Sequence, residues 1–151
     1  MLTIRKLNKK EDFESKLTKQ QFIDFLYEHL GKFGDTKEAI EKSIDYEKKK
    51  KKGKGGFLLA AYYKENLVGE LIINNTGMSD YIPEHFLVYV AVDSKYRGKG
   101  FGGELVKKSI EICEGNVALH VEYDNPAKRL YERLGFYTKY AEMRYNSNKA
   151  K

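Results

Sequence analysis

Residues 96 to 105 read YRGKGFGGEL, four glycines and two cations in ten positions. The apolar run HFLVYVAV (85–92) precedes them and a helix-periodic run comes after. This hand-over constrains the fold more than any other feature. HFLVYVAV is too apolar for an edge strand and reads as a central one, so the loop leaves from the middle of a sheet. Glycines at such a turn permit unusual backbone angles and let a ligand approach the main chain. The next helix starts with unpaired N–H groups and a partial positive charge. Together these make an anion site, most often for phosphate, and Arg97 and Lys99 add full charges.

The rest of the chain arranges itself around this centre. LTIRKL (2–7) alternates as a strand. Phe13, Leu17, Phe22, Phe25, Leu26 and Leu30 recur at helical spacing, with Thr18 and Gln21 as a capping box that suggests two short helices. DTKE (35–38) starts a further helix with Ala39, Ile40 and Ile44 inward. FLLAAYY (57–63) and LVGELII (67–73) flank the turn KEN as a hairpin. After the glycine loop a helix from about Gly100 to Glu114 is expected, then a strand VALHV (117–121). Next comes a helix with Asp124 or Asn125 as cap and Pro126 in its first position, ending at Gly135. FYTKYAEMRY (136–145) reads as a last strand or pair of strands. The expected order is β-α-α-β-β-β-α-β-α-β, a mixed α/β (α+β) domain over residues 1–145 with a polar tail at 146–151.

Composition narrows the function classes. A chain of 151 residues that is 41% hydrophobic suits one domain with a real core. No apolar run approaches the ~20 residues of a membrane span, and MLTIRKLNKK lacks the apolar centre of a signal peptide. One cysteine, Cys113, allows no internal disulfide, and a cytoplasmic setting fits. Three scattered histidines show no zinc spacing, so no metal is expected. The net charge of +6 favours an anionic partner. Its lysine run in YEKKKKKGKGG (46–56) carries only Tyr46 for stacking, which argues against nucleic acid.

Three phosphate-loop patterns compete for the glycine run. GxxxxGK[ST] is absent. GxGxxG is formally present as Gly98, Gly100 and Gly103, with Glu122 and Asp124 about twenty residues on. However, DSKYR separates the loop from its strand, and only about fifty residues come after it, too few for a doubly wound domain. The third pattern fits better. VAVDSKYRGKGFGGEL resembles the acetyl-CoA motif of the GNAT superfamily of N-acetyltransferases, Arg/Gln-x-x-Gly-x-Gly/Ala, through Arg97, Gly100 and Gly102. A second motif of that family is matched in LHVEYDNPAKRLYERLGF (119–136) by Asn125, Ala127, Leu130, Tyr131, Gly135 and Phe136. The element order is also the family's, with a mostly antiparallel central sheet flanked by helices.

The resemblance implies roles. The main chain of Arg97, Gly98, Lys99, Gly100, Phe101, Gly102 and Gly103 would cradle the pyrophosphate of coenzyme A. Val90 and Val92 would lie along the pantetheine arm through their backbone, and Asn125 would touch the cofactor. Tyr131 matches the family's general acid, and an ordinary phenol is protonated at neutral pH and able to donate. The chain departs from the family at two points. Asn125 precedes Tyr131 by six residues rather than seven: either the helix start is a residue shorter, or Asp124 takes part of the asparagine's role. Phe86 stands where many members carry a glutamate base, so Glu84, with His85 beside it, is the substitute; Asp80, Tyr81 and Glu70 are weaker ones. Cys113 and His120 read as structural.

The expected activity is acetyl transfer from acetyl-CoA to a primary amine of a small molecule or peptide, by direct attack and with no metal. Asp80, Glu84 and Glu70 weakly favour a cationic acceptor. The alternative is a non-catalytic coenzyme A-binding or regulatory module of the same fold. The sequence also allows a homodimer paired through the C-terminal strand.

Overall fold

The computed structural model describes residues 1–7, 13, 16–47 and 55–147. Most of the lysine run and the last four residues of the tail lie outside the described residues. Five strands, β1 (Leu2–Leu7), β2 (Gly56–Tyr63), β3 (Asn66–Asn75), β4 (His85–Val92) and β5 (Val117–Leu119), form one sheet in sequence order. β1 to β4 pair antiparallel and β5 joins β4 parallel. The helices are α1 (Lys19–Leu30), α2 (Lys37–Glu47), α3 (Phe101–Ile112) and α4 (Ala127–Arg133). The mostly antiparallel sheet flanked by helices is the fold expected from the sequence.

Local chemistry explains most boundaries. The capping box forms: Gln21 N donates to Thr18 Oγ1 at 3.1 Å and Thr18 N to Gln21 Oε1 at 2.8 Å. Thr36 Oγ1 accepts from Ala39 N at 3.1 Å and starts α2. Lys64 and Glu65 turn the β2–β3 hairpin with φ of 50° and 68°, the left-handed pair that matches strand twist. α4 starts one residue later than expected. Pro126 is its cap position, and Asn125 Oδ1 accepts from Ala127 N at 2.9 Å.

The sheet separates two apolar layers. Leu58, Ala60, Ile72 and Ala91 pack with Phe22, Ile23 and Leu26 of α1 and Ile40 and Ile44 of α2. Phe57, Leu59, Leu71, Ile73 and Leu87 pack with Phe101, Leu105 and Val106 of α3 and Tyr131 of α4. Helices on both faces explain why β2, β3 and β4 read as near-continuous apolar runs rather than alternating ones.

The expected last strand is not formed. Residues 136 to 147 carry no regular structure, and Tyr137, Tyr140, Met143 and Tyr145 are 77 to 92% exposed. Phe136 is anchored, its ring centroid 5.9 Å from that of Tyr131. Alternation makes a strand only where a neighbour supplies hydrogen bonds and an apolar face, and the three-residue β5 offers little of either.

One side chain of the core breaks the apolar rule. Glu70 is fully buried, and neither carboxyl oxygen has a hydrogen-bond partner. It aligns with Ala60 on one side and Ala91 on the other, both of the layer beneath α1 and α2. Burial pushes its carboxyl well above the ordinary glutamate value, so folding at neutral pH holds a proton there. A carboxyl raised on folding destabilises the native state as pH climbs from the unfolded value towards the folded one. We expect stability to fall over that window by at most about 1.4 kcal/mol per pH unit, and Glu70→Gln to remove the slope. Urea denaturation at pH 5 and pH 8 checks this; an equal slope in both proteins would place the proton elsewhere.

Candidate active site

The pairing between β4 and β5 covers only His85, Phe86 and Leu87 against Val117, Ala118 and Leu119. On its other edge β4 stays paired with β3 to the end, Val92 opposite Gly69. From Val88 to Val92 the edge of β4 that faces β5 therefore has no strand beside it. Its backbone groups can bond a ligand, and Val90 and Val92 lie on that stretch. The opening runs towards the C-terminal end of β4, where the glycine loop begins.

The loop is built as the sequence suggests, but its glycines divide the work. Gly98 and Gly100 have φ of 82° and 83°, the left-handed region, and no atom lies within 4 Å of where a Cβ would stand. These two are glycines for conformation, and the space beside them is open. Gly102 and Gly103 are glycines for packing: a Cβ would meet Leu130 of α4 at 3.5 and 3.3 Å. The first turn of α3 is thus seated directly on α4. Glu104 N donates to Gly100 O at 3.1 Å, so the N–H groups of Phe101, Gly102 and Gly103 precede the first helical bond and face outward unpaired. Unpaired N–H groups at a helix start are the donors that favour an anion. The Phe101 side chain is buried against Tyr63, ring centroids 5.1 Å apart, so this residue offers its main chain only. Lys99 is exposed.

Tyr131 is 8% exposed and sits in the apolar layer with α3. Burial, with a smaller contribution from Glu122, pushes its phenol up to about 12. It keeps its proton throughout the neutral range. Asn125 spends its side chain locally, accepting from Ala127 N at 2.9 Å and donating to Glu122 Oε1 at 3.2 Å. Asp124 points instead to Lys32, 3.7 Å away across the cleft mouth.

Glu84 lies two residues before Phe86, the position of the family's glutamate. Its carboxylate accepts from Asn116 N at 3.2 Å, and it precedes β4, six residues before Val90, about 20 Å at strand rise. His85 bonds Asn75 Oδ1 at 2.8 Å at the same end. Asp80 and Tyr81 are exposed in the 76–84 loop, and Glu70 is sealed in the core. Glu84 thus stands two residues from the position of the family's glutamate, with its carboxylate turned to Asn116.

The structure instead adds two residues that periodicity could not pair. Tyr89, on β4, donates its hydroxyl to Asp35 Oδ2 at 2.6 Å. Burial first, and Asp35 second, raise its phenol above the ordinary tyrosine value. Asp35 lies 54 residues away in the turn between α1 and α2, on the wall of an open cleft of about 550 Å³ lined by Tyr27, Gly31, Gly34, Asp35 and Thr36. The only sequence signal is the polar pair DT at a helix start. Among the described residues no group of three or more histidine, cysteine, aspartate or glutamate side chains is placed to hold a metal.

Comparison with known proteins agrees with this geometry. Residues 20–136 match the model of the acetyltransferase (GNAT) family. N-alpha-acetyltransferase 30 of Xenopus laevis is 38% identical over 89 residues, 56% of this chain and 33% of the relative. Mycothiol acetyltransferase of Corynebacterium glutamicum is 36% identical over 88 residues, 51% of this chain and 30% of the relative. The chain thus spans about a third of the length of these curated relatives. The fold is shared with the NatC complex bound to Gag peptide and CoA, with a TM-score of 0.65, 17% identity, and coverage of 92% of this chain and 86% of that one. A glycine cradle at the start of α3, a β4 edge left open beside it, and a family match over more than half the sequence lead to one conclusion: the chain belongs to the GNAT acetyltransferase family.

Proposed function

We propose that this chain transfers an acetyl group from acetyl-CoA to a primary amine by direct attack, with the free N-terminus of a peptide as its leading acceptor. The observation that carries the reading is the parting of β4 from β5 beyond Leu87, which leads straight into the glycine loop. Along that line the main chain of Val90 and Val92 would bond the pantetheine arm. The amides from Gly98 to Gly103 would hold the pyrophosphate, and Asn125 lies at the mouth. The thioester of acetyl-CoA supplies the activated acyl group. The similarity to N-alpha-acetyltransferase 30 supports the peptide acceptor.

The chain's own residues account for the proton traffic at one end. A thiolate leaving group gains from a donor close by, and a phenol held at about 12 arrives with its proton in place at every pH the enzyme would meet. We assign that donor role to Tyr131, acting first as a hydrogen-bond donor as charge builds on sulfur. The acceptor side falls to the cleft at Tyr27, Asp35 and Thr36. There a carboxylate at the turn would attract an ammonium and Tyr89 would hold the carboxylate in place.

The setting we propose is cytoplasmic. Among the described residues no helix is long and apolar enough to cross a membrane. Cys113 is half-buried and its thiol is pushed up to about 11 by burial, as suits an unreactive structural cysteine. A homodimer would employ the exposed tyrosines and methionine of 137 to 145, and sedimentation of the full chain against one ending at residue 136 would detect it.

Three outcomes are expected. Acetyl-CoA binds by calorimetry, and thiol is released across a panel of peptides with free N-termini; binding without release from any amine would leave only the binding module. Gly100→Val forces a β-branched residue to φ of 83° and fills the open space beside the loop. It should weaken coenzyme A binding at least tenfold while the fold, monitored by circular dichroism, survives; unchanged affinity would remove the loop from the cofactor site. Tyr131→Phe should lower kcat by about a hundredfold or more with coenzyme A affinity within about twofold, and wild-type kcat should show no loss of a protonated phenol up to about pH 10. Wild-type turnover in the variant would end the assignment.

A further inference from the structure

We propose that Arg97 is a positioning residue that couples the cofactor loop to the acceptor wall, by closing the C-terminal end of α1 onto the end of β4. The proposal rests on the acetyltransferase reading of the same cleft. Arg97 opens the glycine loop, where a cation would be expected to turn its charge towards the cofactor phosphates. Its guanidinium turns the other way. Nη2 donates to the carbonyl oxygen of His29 at 2.7 Å, across 68 residues of sequence, and Nε donates to Val92 O at 3.3 Å.

His29 occupies the last turn of α1, where carbonyls have no partner within the helix and carry the negative end of its dipole. A guanidinium is a matched cap for that position. Two further ties hold the same residue to the same segment. Ser94 N donates to His29 Nδ1 at 3.4 Å, and His29 Nε2 stands 3.8 Å from Asp93 Oδ2. The His29 ring also rests on Phe25, centroids 4.5 Å apart. The segment from Val92 to Arg97 therefore grips α1 through main chain, ring and guanidinium together.

Beyond His29 the chain enters the acceptor wall. Gly31 turns it with φ of 56°, and Gly34 folds back so closely that a Cβ would stand 2.7 Å from Leu30 Cβ. Asp35 comes next and meets Tyr89. With so tight a turn, the placement of His29 sets the placement of Asp35. Arg97 is thus the point where the two halves of the cleft share a residue: its main chain enters the cofactor loop, and its side chain holds the strut to the acceptor wall. Coenzyme A bound on Gly98 to Gly103 would still the segment carrying Arg97, and through it residues 29 to 36. By linkage, each substrate should tighten the other by a factor within the usual 5- to 150-fold range of coupled sites.

The test uses the full chain, coenzyme A, and the best peptide amine of the panel, in wild type, Arg97→Gln and Arg97→Lys. In wild type, coenzyme A should slow hydrogen exchange at residues 29 to 36 as well as at the loop. In Arg97→Gln the loop should still be protected, with coenzyme A affinity within about threefold, while protection at 29 to 36 is lost. KM for the peptide should rise at least fivefold with a smaller change in kcat. Arg97→Lys, which offers a point charge in place of a fork, should fall between and shows the effect even if the glutamine variant folds poorly. Coenzyme A affinity falling as far as peptide KM rises, with exchange at 29 to 36 still protected, would assign the guanidinium to the cofactor and overturn the coupling. Normal coenzyme A heat with exchange at 29 to 36 indifferent to it in wild type would overturn the coupling alone. Absence of coenzyme A heat in wild type would take down this proposal and the acetyltransferase reading together.

Discussion

The site depends on where one set of hydrogen bonds stops. β4 and β5 run parallel and pair over three residues, then part beyond Leu87 and Leu119. Had the ladder continued, the main chain from Val88 to Val92 would be satisfied and closed. Because it stops, a central strand of the sheet has one edge held rigidly by β3 and the other open to a ligand. Unpaired backbone groups are costly when buried, so an edge of this kind inside a sheet is tolerated where something else can complete it. The glycine loop continues the same line with amides at the start of α3, and the two together give an extended row of donors and acceptors leading to an anion cradle.

That opening is kept in shape by packing on both sides and by polar ties on one. On the α3 side, Leu130 of α4 fits against Gly102 and Gly103, so the second sequence motif physically seats the first. A Cβ at Gly103 would stand 3.3 Å from the Leu130 side chain, next to Tyr131 on the same helix. On the α1 side Phe25 and Leu30 pack on the core, and polar ties join them. The wall at residues 29 to 36 is held by Arg97 on His29 and by Tyr89 on Asp35, directional bonds between partly exposed groups. A packed wall resists motion continuously, whereas a few hydrogen bonds can break and re-form.

Glu70 shows the same economy within the core. Ala60 and Ala91 flank it where larger residues would otherwise fill the layer, and the protein accommodates the carboxyl by keeping it neutral rather than by pairing it. The exposed segment from 137 to 145 is the converse: residues with strand-like alternation that find no surface of their own chain to cover.

Elements governed by local chemistry are legible in the residues alone. The Thr18–Gln21 capping box, the Lys64–Glu65 turn, the central strand, the glycine loop and the helix after it can be read because their causes lie within a few residues of one another. So can the two motifs, since each is carried by a short stretch with its own backbone demands. Everything else waits on how the elements pack. FYTKYAEMRY has the alternation of a strand, but a strand also needs a partner edge, and the neighbouring β5 is only three residues long. Glu84 meets Asn116 N across 32 residues, a contact that sequence proximity does not announce. Arg97 and His29, Tyr89 and Asp35 meet across 68 and 54 residues. No periodicity encodes such meetings, because they arise from where the sheet carries each element rather than from what any one stretch prefers.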